Sequence, residues 1–86
     1  MLKIYGSMQC PDCVECRQDL DNAGIEYEYL DFAESLLNLK EFLLIRDSDP
    51  VFDTIKREGK IGIPCIIDGN GKVNFDWSQY VSQDNA

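Results

Sequence analysis

Histidine is missing from all 86 residues. Without it there can be no cysteine–histidine catalytic pair and no imidazole metal ligand. Positive charge is also scarce: eight Lys and Arg stand against sixteen Asp and Glu, a net charge of -8. An acidic surface of this kind argues against nucleic acid and anionic membranes as partners. No apolar run approaches the length of a membrane span, and no basic and apolar leader is expected before the first strand. The cytoplasm is the expected compartment. Internal repeats, low-complexity tracts and interdomain linkers are lacking as well. A chain this short is expected to form one domain, 1–86, with a small core.

Four cysteines are present, and 44% of the residues are hydrophobic. In a reducing compartment such cysteines point to catalysis or metal binding rather than to a disulfide framework. Cys10-Pro11-Asp12-Cys13 follows a short apolar strand, Leu2 to Tyr5, and the loop Gly6 to Gln9. Pro11 suits a first helical position, where its missing N–H costs nothing. Cys10 then lies at the helix N-terminus, where unpaired N–H groups and the positive end of the dipole favour a thiolate. Cys13 lies one turn further on, close enough to attack a mixed disulfide on Cys10.

The rest of the chain reads in order. Helix one is expected over Pro11 to about Asn22, with Val14 and Leu20 on its apolar face and Gly24 at its end. Ile25 to Phe32 alternates with period two and reads as a strand. Ser35 to Arg46 reads as a helix whose Leu36, Leu37, Leu39, Phe42, Leu43, Leu44 and Ile45 are expected in the core. Asp49 and Pro50 suit the cap and first residue of a short helix to Glu58, burying Val51, Phe52 and Ile55. Pro64 to Asp68 and Lys72 to Phe75 flank Gly69-Asn70-Gly71, a hairpin turn whose residues tolerate positive φ. Asp76 caps a last helix, Trp77 to about Gln83, with Trp77, Tyr80 and Val81 on one face. The tail Asp84-Asn85-Ala86 is expected to fray. The expected architecture is α/β, a four-stranded mixed sheet flanked by helices.

This order, with Cys10-Pro11-Asp12-Cys13 after strand one and Gly62-Ile63-Pro64 before strand three, resembles the thioredoxin fold. Within it, the chain resembles a glutaredoxin-like protein from Leu2 to about Val81. The resemblance implies a cis Pro64 facing the cysteines and an Ile63 backbone offered to the substrate disulfide. It makes Cys10 and Cys13 the catalytic pair, with Gln9, Pro11, Asp12, Ile63 and Pro64 binding substrate. The chain departs from the family at several places. Ser7 stands where glutaredoxins carry a lysine, and Asp12 where they commonly carry an aromatic residue. Asn74-Phe75 replaces their Gly-Gly. Lys3, Arg17, Lys56, Lys60 and Lys72 are the cations that could substitute. Trp-Cys-Gly-Pro-Cys, the thioredoxin signature, is missing, and Ile4 stands where thioredoxins keep a buried acid. These departures set glutathione in question as the reductant.

The leading expectation is a thiol–disulfide oxidoreductase with no bound cofactor. Its substrate would be a protein or small-molecule disulfide, and an external thiol or disulfide reductase would restore the dithiol. Two alternatives stay open. Cys10, Cys13 and Cys16 form a slanting row on the helix, each about 60° back from the one before. With Cys65 they could make a four-thiolate zinc or iron–sulfur site. The domain could also be a redox-inactive binding module.

Overall fold

A computed structural model describes residues 1–83; Asp84, Asn85 and Ala86, the expected frayed tail, lie outside the described residues. The elements run β1 (Leu2–Gly6), α1 (Pro11–Asn22), β2 (Tyr27–Asp31) and α2 (Leu36–Ser48). A 3-10 turn (Pro50–Phe52) then leads into α3 (Asp53–Arg57), β3 (Cys65–Ile67), β4 (Val73–Asn74) and α4 (Ser78–Gln83). The sheet is four-stranded, in the order β2-β1-β3-β4. β1 pairs with β2 in parallel, and the other two pairings are antiparallel. Among the described residues no helix is long and apolar enough to cross a membrane.

Local chemistry sets most boundaries. Pro11 opens α1 and Cys10 is its N-cap residue. The Ser35 hydroxyl accepts the Leu37 N–H and caps α2. Asp49 accepts the Val51 N–H and starts the 3-10 turn. β2 is shorter than its alternating pattern, because its ladder ends where the five residues of β1 end, from Leu2–Tyr27 to Gly6–Asp31. In the β3–β4 turn the Asp68 carboxylate accepts N–H groups from Asn70 and Lys72, at 2.8 and 3.0 Å. Within that turn only Gly71 takes a positive φ, 83°.

Two core layers sandwich the sheet. Register partners Ile4 and Ile66 point to one face, with Leu2, Cys16 and Leu20 of α1 and, less deeply, Trp77, Tyr80 and Val81. Register partners Tyr5 and Cys65 point to the other face, with Phe42 of α2 and Phe52. The second layer continues as a run of rings. Phe32, Phe42, Phe52 and Phe75 follow one another at centroid separations of 5.2, 5.9 and 5.1 Å. Offset and edge contacts at these distances are the favourable ring geometries.

Three core assignments read from the sequence need correction. Of the α2 side chains only Phe42 is fully buried, with Leu39 and Ile45 packed partly against its layer. Leu36, Leu37, Leu43 and Leu44 are exposed. A helix lying on one face of a sheet buries a single stripe, and these four leucines fall outside it. In α1 the inner face is Cys13, Cys16 and Leu20 rather than Val14. Val51 is exposed, while Phe52 takes the buried place in that turn.

Candidate functional site

The loop from β1 to α1 is wound around Ser7. Its carbonyl accepts the Cys10 N–H and its hydroxyl accepts the Gln9 N–H, both at 3.1 Å. This turn delivers Cys10 to the N-cap of α1 in extended conformation, half-buried, with its side chain making no capping bond. The Cys10 thiol is therefore free to face outward at the positive end of the helix.

It opens on a cleft of about 710 Å³. One wall is Ser7, Gln9, Cys10 and Asp12; the other is the segment 58–63, with Ile55 and Phe75. Arg46, near the end of α2, holds that second wall. Its guanidinium donates to the carbonyls of Ile61 and Lys60, both at 2.8 Å. Gly62 makes the wall's close approach possible. Its φ is +98°, and a Cβ there would lie 2.7 Å from the Phe52 ring. The Ile63–Pro64 bond that follows is cis.

Cys13 lies directly behind Cys10 and is fully buried. Burial pushes its pKa up to about 12, and the neighbouring Cys10 thiol adds to the rise. The Ser7 backbone and the Tyr29 hydroxyl pull the other way, since both can donate to the sulfur. Tyr29 is held by Arg17, whose guanidinium lies 4.2 Å from the ring centroid. Its hydroxyl is buried without a well-formed hydrogen bond. A Cβ on Gly6 would lie 2.8 Å from both the Cys13 sulfur and that hydroxyl, so the two converge on the bare backbone at the end of β1. Charge on the Cys13 sulfur would draw the hydroxyl into a hydrogen bond.

No family model matches the chain. A Haemophilus influenzae protein described as uncharacterized is 40% identical over 76 residues, which cover 88% of each chain. The chain belongs to that protein's family.

Of the residues singled out from the sequence, the structure brings Gln9, Cys10, Asp12 and Ile63 together around the cleft, with Cys13 beneath. Pro11 is exposed at the start of α1, and Pro64 is buried; neither lines the cleft. Among the five cations named as substitutes for the missing lysine, Lys60 alone lines it, and it is ion-paired with Glu58 at 3.1 Å. The four cysteines do not converge. Cys16 packs in the layer beside α1, whereas Cys65 packs in the layer beside α2, across the sheet. Burial pushes both thiols up to about 12. Among the described residues no group of three or more cysteine and carboxylate side chains is arranged to hold a metal ion.

The sequence reading missed Tyr29, Ile55, Glu58, Ile61 and Phe75 as parts of the site. Tyr29 had one signal, since an alternating strand after helix one puts every second residue under that helix. The others arrive from distant elements and carry none.

Proposed function

We propose that the protein is a thiol–disulfide oxidoreductase of the glutaredoxin-like kind, on a thioredoxin-like fold. One observation carries this reading. A half-exposed thiol at a helix N-terminus faces a cleft, and a second, buried thiol lies immediately behind it. The strand order supports it further.

The Cys10 thiolate attacks one sulfur of a substrate disulfide. The substrate S–S bond breaks, a Cys10 mixed disulfide forms, and the other substrate half leaves as thiolate. Cys13 then gives up its proton, to the departing thiolate or to water, and attacks the Cys10 sulfur. The second substrate half leaves, and Cys10–Cys13 is oxidised. Two electrons have passed to the substrate, and an external thiol or dithiol returns them. The Tyr29 hydroxyl and the Ser7 N–H stabilise the charge that builds on Cys13 during its attack.

The cleft suits a disulfide flanked by apolar groups, given Ile55, Ile61, Ile63 and Phe75 in its walls. Asp12 and Glu58 repel the carboxylates of glutathione, and Lys60 is already engaged. Glutathione with its reductase should therefore support slow turnover, and dithiothreitol fast turnover, on one protein disulfide. Cys13→Ser should trap a substrate mixed disulfide on Cys10, visible as a mass adduct. No adduct on that variant, with no disulfide reduction by the parent protein, would sink the proposal.

A further inference from the structure

The outward face of α2 carries apolar side chains that neither the core nor the cleft uses. Leu36, Leu37, Leu43 and Leu44 are 79%, 59%, 41% and 63% exposed. At 100° per residue these four, with Lys40 and Asp47, fall within one arc of roughly 120°. Single exposed leucines need no explanation, but two pairs on one arc, Leu36–Leu37 and Leu43–Leu44 with Lys40 between them, call for one. Among the described residues neither Lys40 nor Asp47 has an ionic partner in its own chain. The two charges cancel, so this strip is neutral on a chain of net charge -8. Two copies can meet on this strip without net like-charge repulsion within it.

We propose that this face of α2 is the interface of a homodimer, with the two helices antiparallel about a two-fold axis beside Leu43 and Leu44. The pattern is self-complementary about that point, as an isologous interface requires. Lys40 and Asp47 lie equally far from the midpoint, on opposite sides. The rotation sets Lys40 against Asp47 of the partner subunit, twice over. It sets Leu43 against Leu44 of the partner subunit. Leu36 and Leu37 run past the partner's α2 to the 3-10 turn that contains Val51, 41% exposed. A lipid surface offers no fixed partners in register with Lys40 and Asp47, and an acidic chain avoids anionic headgroups. None of the α2 arc lines the Cys10 cleft, so the cleft stays open in the dimer.

A pair of short helices makes a small interface, so the dimer is weak and reversible. Sedimentation velocity on the full chain, across roughly 1 to 300 µM, should show a concentration-dependent monomer–dimer equilibrium of the kind such small interfaces give. K40D and D47K should each raise the dissociation constant about tenfold or more, since each sets two like-charge contacts across the axis. An equimolar mixture of the two variants should dimerise again, because in the mixed pair every reversed charge meets its opposite. Leu44→Ser should remove the dimer. These positions are exposed, and thermal melts of the variants report whether folding is intact. A parent chain that stays monomeric throughout overturns the proposal without any variant. So does a mixture no tighter than its components, or a Leu44→Ser protein that dimerises as the parent does.

Discussion

Gly6→Ala tests the packing behind the Cys10–Cys13 pair most directly. A Cβ there would lie 2.8 Å from the Cys13 sulfur and 2.8 Å from the Tyr29 hydroxyl, where ordinary contact begins near 3.4 Å. Each neighbour must retreat by about 0.6 Å. Tyr29 has its hydroxyl at the far end of a half-buried side chain and can swing. Cys13 cannot, because its short side chain is fully buried on the inner face of α1. Overpacking of this kind costs about 1–3 kcal/mol. Replacing glycine stiffens the unfolded chain and returns about 0.4–1 kcal/mol. The middle of each range leaves a net loss of about 1.3 kcal/mol, or roughly 5–10 °C in Tm for a domain of this size. Urea unfolding of the reduced protein measures it. The cost should largely vanish in a Cys13→Ala background, where the new methyl fills space the sulfur vacates. A Gly6→Ala protein as stable as the parent, or an equal loss with Cys13→Ala, would refute the reasoning.

Two further predictions rest on the thiols. In the folded, reduced protein, iodoacetamide near neutral pH should label Cys10 first, since Cys13, Cys16 and Cys65 are fully buried; faster labelling of Cys13 or Cys65, read by mass mapping, would reverse the assigned roles. Those three thiols rise from the ordinary 9.0 to about 12 on folding, so the unfolded chain releases their protons first as pH climbs. The stability they contribute is whole below pH 9 and is lost above it, at about 1.4 kcal/mol per pH unit for each thiol. Reduced protein should therefore unfold in alkali between about pH 9 and 12. Measured by circular dichroism, Cys65→Ala should shallow that slope by about a third up to about pH 10. Above that it should shallow it by less, because Tyr5 and Tyr29, also raised by burial, add to the slope.

The sequence by itself determined the order of elements and most of their ends. Pro11, Ser35, Asp49 and Asp68 act on backbone groups within four residues, so their effect is written locally. It also located the Cys10–Cys13 pair, because a strand, a loop and a proline-led helix start are neighbours in the chain. What each helix would cover was not legible. The apolar residues of α2, with Phe42 and Ile45 among the leucines, surround the helix on most sides, and composition alone cannot say which stripe meets the sheet. The tertiary structure chose Phe42, which fits among Tyr5, Phe32 and Phe52, and left four leucines outside. The register of β3 against β1 was equally out of reach. It pairs Cys65 with Tyr5 and so sends that thiol to the face opposite Cys16. A shift of one residue would have sent it to the other face, since strand side chains alternate. The far wall of the cleft was decided last, by Arg46 gripping the carbonyls of Lys60 and Ile61. Those contacts join residues fourteen and fifteen positions apart, and they exist only once α2 and the loop before β3 have packed against the same sheet.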